Sequence, residues 1–187
     1  MKTPCLLVLV PHRDARQLLK KYSGSLFAAG FWGAWSFPWV APLAALSSPL
    51  SPAELKQLAA IFREKTLALN SGGKMQSLPP AQSPFPDDFP FMNSCNAKKP
   101  AIFGPALDFT IPELAVSLIE NKARHWFSPL VFGAALINEA STPPASPALS
   151  FRACALANMD LRPLAADGYS YSWKIGKLCW LPPVRKN

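Results

Sequence analysis

Phe37-Pro38-Trp39-Val40-Ala41-Pro42-Leu43 and Ser128-Pro129-Leu130-Val131-Phe132-Gly133-Ala134 are the two stretches on which the reading of this chain turns. Each is a proline followed by an apolar run of strand-forming residues, and neither contains a charge. Their prolines stand 91 positions apart (129 minus 38) in a chain of 187 residues. The spacing suggests two related halves, each presenting one strand of the same kind.

Working outward, Cys5 to Val10 is an unbroken apolar run between Pro4 and Pro11, the pattern of a strand buried on both faces. Residues 13–22 place Leu18, Leu19 and Tyr22 on one face of a short helix, with Arg16, Lys20 and Lys21 opposite. Leu26 to Leu46 reads as one or two strands broken near Gly33. The clearest local signal follows. Ser51 suits an N-cap, Pro52 the first helical position and Glu54 the far side of a capping box. Leu55, Leu58, Ala59, Phe62 and Leu69 keep helical spacing up to Asn70, and Ser71-Gly72-Gly73 stops the helix.

Six prolines between residues 78 and 100 mark a connector. Beyond it, Ile102 to Ile111 and Phe127 to Ile137 read as strands, with a short helix over Pro112 to Lys122 and a proline-rich turn over Thr142 to Pro147. Phe151 to Leu164 and Tyr169 to Leu181 form a strand pair around Asp167-Gly168. The predicted fold is α+β, mainly antiparallel sheets flanked by helices. It is one domain of two pseudo-duplicated lobes, about 1–78 and 101–187, joined by the connector 79–100.

Composition narrows the function classes. Charged residues make up only 16% of the chain and prolines number 21. An apolar fraction of 50% argues against disorder. The net charge of +8 sits at the ends: residues 1–21 and 162–187 each hold five basic residues and one acidic, and the rest nets to zero. Brought together, the ends would make a basic surface able to attract phosphate; kept apart, they serve solubility alone. The four cysteines (Cys5, Cys95, Cys154, Cys179) show neither zinc spacing nor a disulfide framework, which fits a reducing, cytoplasmic setting.

The 32 uncharged residues between Lys21 and Glu54 are long enough to span a bilayer. Three glycines, four prolines and the alternation of Trp35, Phe37 and Trp39 suit strands instead, so no stable membrane insertion is expected. Arg13 and Asp14 interrupt the apolar start too early for a signal peptide.

The element order and the two proline-led strands resemble the two-histidine (2H) phosphoesterase superfamily, which includes RNA ligase-like and cyclic phosphodiesterase-like proteins. In that family each lobe carries a His-x-Thr strand, often led by proline. The two histidines work across a groove as general acid and base on a phosphodiester, one giving a proton while the other takes one. The resemblance places Trp39 and Leu130 at the histidine positions and Ala41 and Phe132 at the threonine positions. None of the four can move a proton, and none carries a hydroxyl. The resemblance therefore implies a degenerate active site, with no catalytic residue and no cofactor. Its groove would be lined by Trp39, Ala41, Leu130 and Phe132 with Arg13, Arg162, Lys174 and Lys177 nearby, and would bind a nucleotide, an RNA end or another small aromatic or phosphate ligand. Any surviving activity would be phosphodiesterase-like. The alternative is a protein–protein interaction module that uses the same apolar surface.

Other chemistry is sparse. His12, in Pro11-His12-Arg13-Asp14, reads as a helix start with the option of holding an anion. His125 reads as an exposed loop residue. Gly72-Gly73-Lys74 is too short for a phosphate-binding loop, and Asp87-Asp88 lacks a third metal ligand. Phe31, Trp32, Trp35, Phe37 and Trp39 read as core, with the option of a stacking platform for bases.

Overall fold

A computed structural model describes residues 5–29, 39–64, 75–78, 102–105, 110–127, 134–135, 151–163 and 169–181. The expected apolar run becomes β1 (Cys5–Pro11), with Leu6 to Val10 no more than 1% exposed. It lies between two antiparallel neighbours, β2 (Ala41–Leu46) and β7 (Phe151–Pro163). β5 (Ala123–Trp126) extends the sheet beyond β2, and β8 (Tyr169–Ile175) extends it beyond β7, giving the order β5-β2-β1-β7-β8. The two-residue β9 (Cys179–Trp180) also pairs with β7. A separate sheet has the order β3 (Met75–Leu78), β4 (Ile102–Pro105), β6 (Ala134–Ala135). The α+β class with mainly antiparallel sheets is as the sequence predicts.

The described strands fall into a larger and a smaller sheet. The larger one joins β1 and β2 to β5, β7, β8 and β9, and the smaller one joins β3 to β4 and β6. Each takes strands from both sides of residues 79–100. The physical reason is that β1, as a fully apolar strand, needs a neighbour along both edges, and β7 with its Ala153-Cys154-Ala155-Leu156-Ala157 run is apolar enough to serve.

Cross-strand partners share a face of a sheet. One face collects Leu7, Leu9, Ala41, Ala44, Leu46 and Cys154 into a core with the helices α1 (Arg13–Ala28), α2 (Pro52–Glu64) and α3 (Glu113–Leu118). The helices contribute Ala15 and Leu19 from α1, Leu55, Leu58, Ala59 and Phe62 from α2, and Ala115 from α3; Ile119 follows α3. The other face carries Leu6, Val8, Val10, Pro42, Ala45, Ala153, Ala155 and Ala157, and it too is buried.

Three elements depart from the expectation. α1 runs on to Ala28, so Leu26 belongs to a helix and not to a strand. Leu19, Tyr22 and Leu26 are buried at helical spacing, and Ser23 avoids breaking the helix by donating its hydroxyl to the Leu19 carbonyl at 3.1 Å. Ala123–Trp126 is a strand that the sequence pattern does not predict, formed because Ala44 to Leu46 offer a free edge there. Of the strand expected over Phe127 to Ile137, Phe127 is outside any strand, Ala134–Ala135 is β6 and the rest lies outside the described residues. The strand expected over Ile102 to Ile111 is Ile102–Pro105, and Thr110 and Ile111 are outside any strand. α2 keeps its expected start. The Glu54 amide donates to Ser51 Oγ at 3.3 Å and the Ser51 amide donates to Glu54 Oε2 at 2.7 Å, a complete capping box. Residues 65–70, the whole connector 79–100, Thr142 to Pro147 and Asp167-Gly168 lie outside the described residues.

Candidate functional site

The register of the large sheet decides which chemistry can meet. Leu9 faces Ala41 on β2, so the start of β2, where Trp39 stands, lies at the end of the sheet where β1 finishes in Pro11 and α1 begins. His12 is the N-cap of α1: its Nδ1 accepts the Asp14 amide at 3.5 Å and lies 3.3 Å from Asp14 Oδ2. Arg13, the first helical residue, is exposed at this same end. Trp39 is half-buried against the core and tilts at 52° to the Tyr22 ring, with centroids 6.1 Å apart. Burial raises the Tyr22 hydroxyl to about 12, so the ring beside Trp39 stays neutral. Ala41 is wholly enclosed. It contributes to the packing next to Trp39 and offers no surface to a ligand.

The basic residues expected at the groove do not gather there. Lys174 faces Asn158, which in turn faces Cys5, so Lys174 belongs to the opposite end of β1. Its ammonium is engaged by Asp160 Oδ2 at 2.9 Å. Arg162 lies 11 positions along β7 from Phe151 (162 minus 151), the partner of Pro11. At a strand rise of about 3.3 Å per residue that is roughly 35 Å from the Trp39 end. Lys177 follows β8 and is exposed. Of the sequence-derived candidates, then, Trp39, Ala41 and Arg13 share one end of the sheet and Arg162 and Lys174 are remote from it. Leu130 and Phe132 lie outside the described residues, as do Phe31, Trp32, Trp35, Phe37, the glycine pair Gly72-Gly73 and the Asp87-Asp88 pair.

His125 is not a loop residue. It sits in β5 opposite Ala45, and Ala45 sits opposite Leu6. Its ring stands edge-on to Phe127 with centroids 4.7 Å apart, and its Nε2 is enclosed with no hydrogen-bond partner. Burial, and to a lesser degree the Arg124 charge, lowers its pKa, so the neutral ring is favoured. Arg124-His125-Trp126-Phe127 has no strand alternation of its own, and only its pairing with β2 makes it a strand.

His12 and His125 are the only histidines of the chain. Tracing His125 through Ala45 to Leu6, and then six positions along β1 to His12 (12 minus 6), separates them by roughly 15–20 Å in the strand direction. An acid–base pair acting on one phosphodiester needs each imidazole within hydrogen-bond reach of the reacting atoms. These two cannot do that together. Among the described residues there is also no cluster of His, Cys, Asp and Glu able to hold a metal ion. No described helix is long and apolar enough to cross a membrane.

Comparison with known proteins found no matching family model, no matching curated protein and no matching solved structure.

Proposed function

We propose that this chain is a 2H phosphoesterase-like protein of two pseudo-duplicated lobes whose two motifs are degenerate, and that it binds a nucleotide or RNA-end ligand without hydrolysing it. One observation carries the reading: the chain's two histidines are held apart by the strand register, while a tryptophan stands where the resemblance puts the first catalytic histidine. The β1-α1-β2-α2 order and the position of Trp39 at the entrance to β2 support it. A half-exposed indole offers a face on which a base can stack, and the exposed guanidinium of Arg13 at the same end of the sheet supplies charge for a phosphate. Such a site binds by stacking and charge, and its one imidazole, His12, has no second histidine within reach to complete an acid–base pair. A cytoplasmic location follows from the same reading.

The competing idea of an interaction surface draws little from the exposed apolar residues. Leu18, Phe27, Leu114 and Trp180 are spread over α1, α3 and β9. Leu18 and Phe27 are nine residues apart on α1 (27 minus 18), which at ~3.6 residues per turn sets them on opposite sides of the helix.

The test is calorimetry and thermal unfolding of the full chain with 2′,3′-cyclic and 5′-monophosphate nucleotides, with product analysis by chromatography. Binding should raise the melting temperature by roughly 3–6 °C at ten times the Kd, leave the nucleotide intact, and disappear in Trp39→Ala. Hydrolysis that is lost when His12 and His125 are both replaced would overturn the non-catalytic reading. No binding, together with a dimer by light scattering, would favour the interaction module.

A further inference from the structure

β9 is only two residues long, yet it sets one cysteine directly against another: Cys179 is the cross-strand partner of Cys154. The Leu181 amide donates to the Arg152 carbonyl at 2.7 Å, which fixes the hydrogen-bonded phase of this ladder. Cys154 and Cys179 lie two positions on and in the same phase, where opposed Cα atoms stand about 5.5 Å apart. A disulfide needs roughly 4.4–6.8 Å between Cα atoms, so the backbone is already in range. Opposed side chains project from the same face, with Cβ atoms about 4.5–5.5 Å apart, against roughly 3.5–4.5 Å in a disulfide. The remaining shift of about 1 Å falls on a short strand beyond β8.

Both thiols are free, and both lie at the same core. Cys154 is buried and donates its Sγ–H to the Leu55 carbonyl of α2 at 3.6 Å. Cys179 is only partly buried, so an oxidant reaches it first. Cys5 is no rival: it faces Asn158, four positions along β7 from Cys154 (158 minus 154), or about 13 Å at the strand rise.

We propose that Cys154 and Cys179 are a peroxide-sensitive thiol pair that closes to an intramolecular disulfide and staples β9 to β7. The Cys179 thiolate attacks one oxygen of hydrogen peroxide, the O–O bond breaks, and the departing hydroxide takes the proton released by the thiol to leave as water. This makes a sulfenic acid on Cys179. The Cys154 sulfur then attacks the Cys179 sulfur, the S–O bond breaks, and the leaving hydroxide takes the Cys154 proton as a second water. The two sulfurs give up two electrons in total, and the peroxide is reduced to two waters. A dithiol reductant reverses the process by thiol–disulfide exchange. The staple closes a loop containing Leu156 to Ile175, the whole β7–β8 ribbon beyond the joint.

The experiment treats the full chain with hydrogen peroxide, blocks the remaining thiols with N-ethylmaleimide and maps the tryptic peptides by mass spectrometry. A linked peptide pair joining Cys154 to Cys179 is expected, with loss of two thiols and a rise in melting temperature of roughly 5–10 °C that dithiothreitol reverses. Cys179→Ser should abolish both the link and the rise while leaving the unoxidised melting temperature close to that of the parent. Cys154→Ala should leave a dimedone-reactive sulfenic acid on Cys179. Four blocked thiols after peroxide treatment, or a link that joins Cys5 or Cys95 instead, would overturn the proposal.

Discussion

Lys122 reaches back across 68 positions of sequence to clasp Glu54, with its ammonium 2.7 Å from Oε1 and 2.8 Å from Oε2. The same carboxylate closes the capping box of α2, and the Lys122 carbonyl accepts both the amide and the hydroxyl of Ser47. The start of α2, the end of β2 and the turn into β5 are thereby tied at one point, on the core side of the sheet.

This clasp makes stability depend on acid in a defined window. The Lys122 hydrogen bond first, and then those from Ser51, hold the Glu54 carboxyl down from 4.5 to about 2. The folded value lies below the unfolded one, so the contribution is complete above about pH 4.5 and is lost as the pH falls towards about 2. Glu54→Gln should lower the melting temperature by a few degrees at pH 7, since a part-exposed pair and a cap together are worth about 1 kcal/mol. The gap between variant and parent should close as the pH falls through that window. A gap of constant size from pH 7 to pH 2 would show that packing of the side chain, and not its charge, is what matters.

His125 carries acid sensitivity of the same sign, in a window that opens at higher pH. Its neutral form is favoured in the fold because burial and the Arg124 charge oppose protonation. Its stability contribution is therefore full above the ordinary value of 6.5 and declines as the pH falls through the lowered folded value. His125→Phe should flatten the stability profile just below pH 6.5, and proton NMR should place the His125 titration below 6.5. A titration at or above 6.5 would contradict its enclosed position in β5.

What the sequence made legible were the features that rest on neighbours a few residues away. The Ser51–Glu54 box is a three-residue relationship, and β1 is an unbroken apolar run, so both could be read directly. β5 could not: Ala123 to Trp126 is short and charged, and it becomes a strand only because Ala44 to Leu46 lie beside it. The helix expected over residues 13–22 runs on through Ser23-Gly24-Ser25, and it is burial of Leu26 that shows α1 continues. That Trp39 stands next to a buried strand was legible from its proline-led apolar run. The remoteness of Lys174 and Arg162 was not, because it depends on the register of β8 against β7 and of β7 against β1. The separation of His12 from His125 is hidden for the same reason.

The core of α2 gives a direct measure of how much the helix face contributes. Phe62 is 1% exposed and Leu58 is fully enclosed, in the cluster that meets Leu7, Leu9 and Cys154. Phe62→Ala should cost about 3–5 kcal/mol and Leu58→Ala about 2–5 kcal/mol by transfer and cavity terms, read from urea unfolding. A loss below about 1 kcal/mol at both positions would mean that α2 is not seated on the sheet as described.

The continuation of α1 can be tested at Gly24, and Gly176 serves as its control. A methyl group built on Gly24 meets nothing within 4 Å, and the residue lies inside the helix. Gly24→Ala should therefore stabilise the protein by roughly 0.5–1 kcal/mol, a rise of about 1–4 °C, because alanine loses less backbone entropy on entering a helix. At Gly176 the same methyl would stand 3.3 Å from the Leu156 carbonyl oxygen, which already accepts the Gly176 amide at 2.8 Å. There the backbone must give way, and Gly176→Ala should destabilise. If Ser23-Gly24-Ser25 ended the helix instead, Gly24→Ala would gain nothing, and the two substitutions would no longer differ in sign.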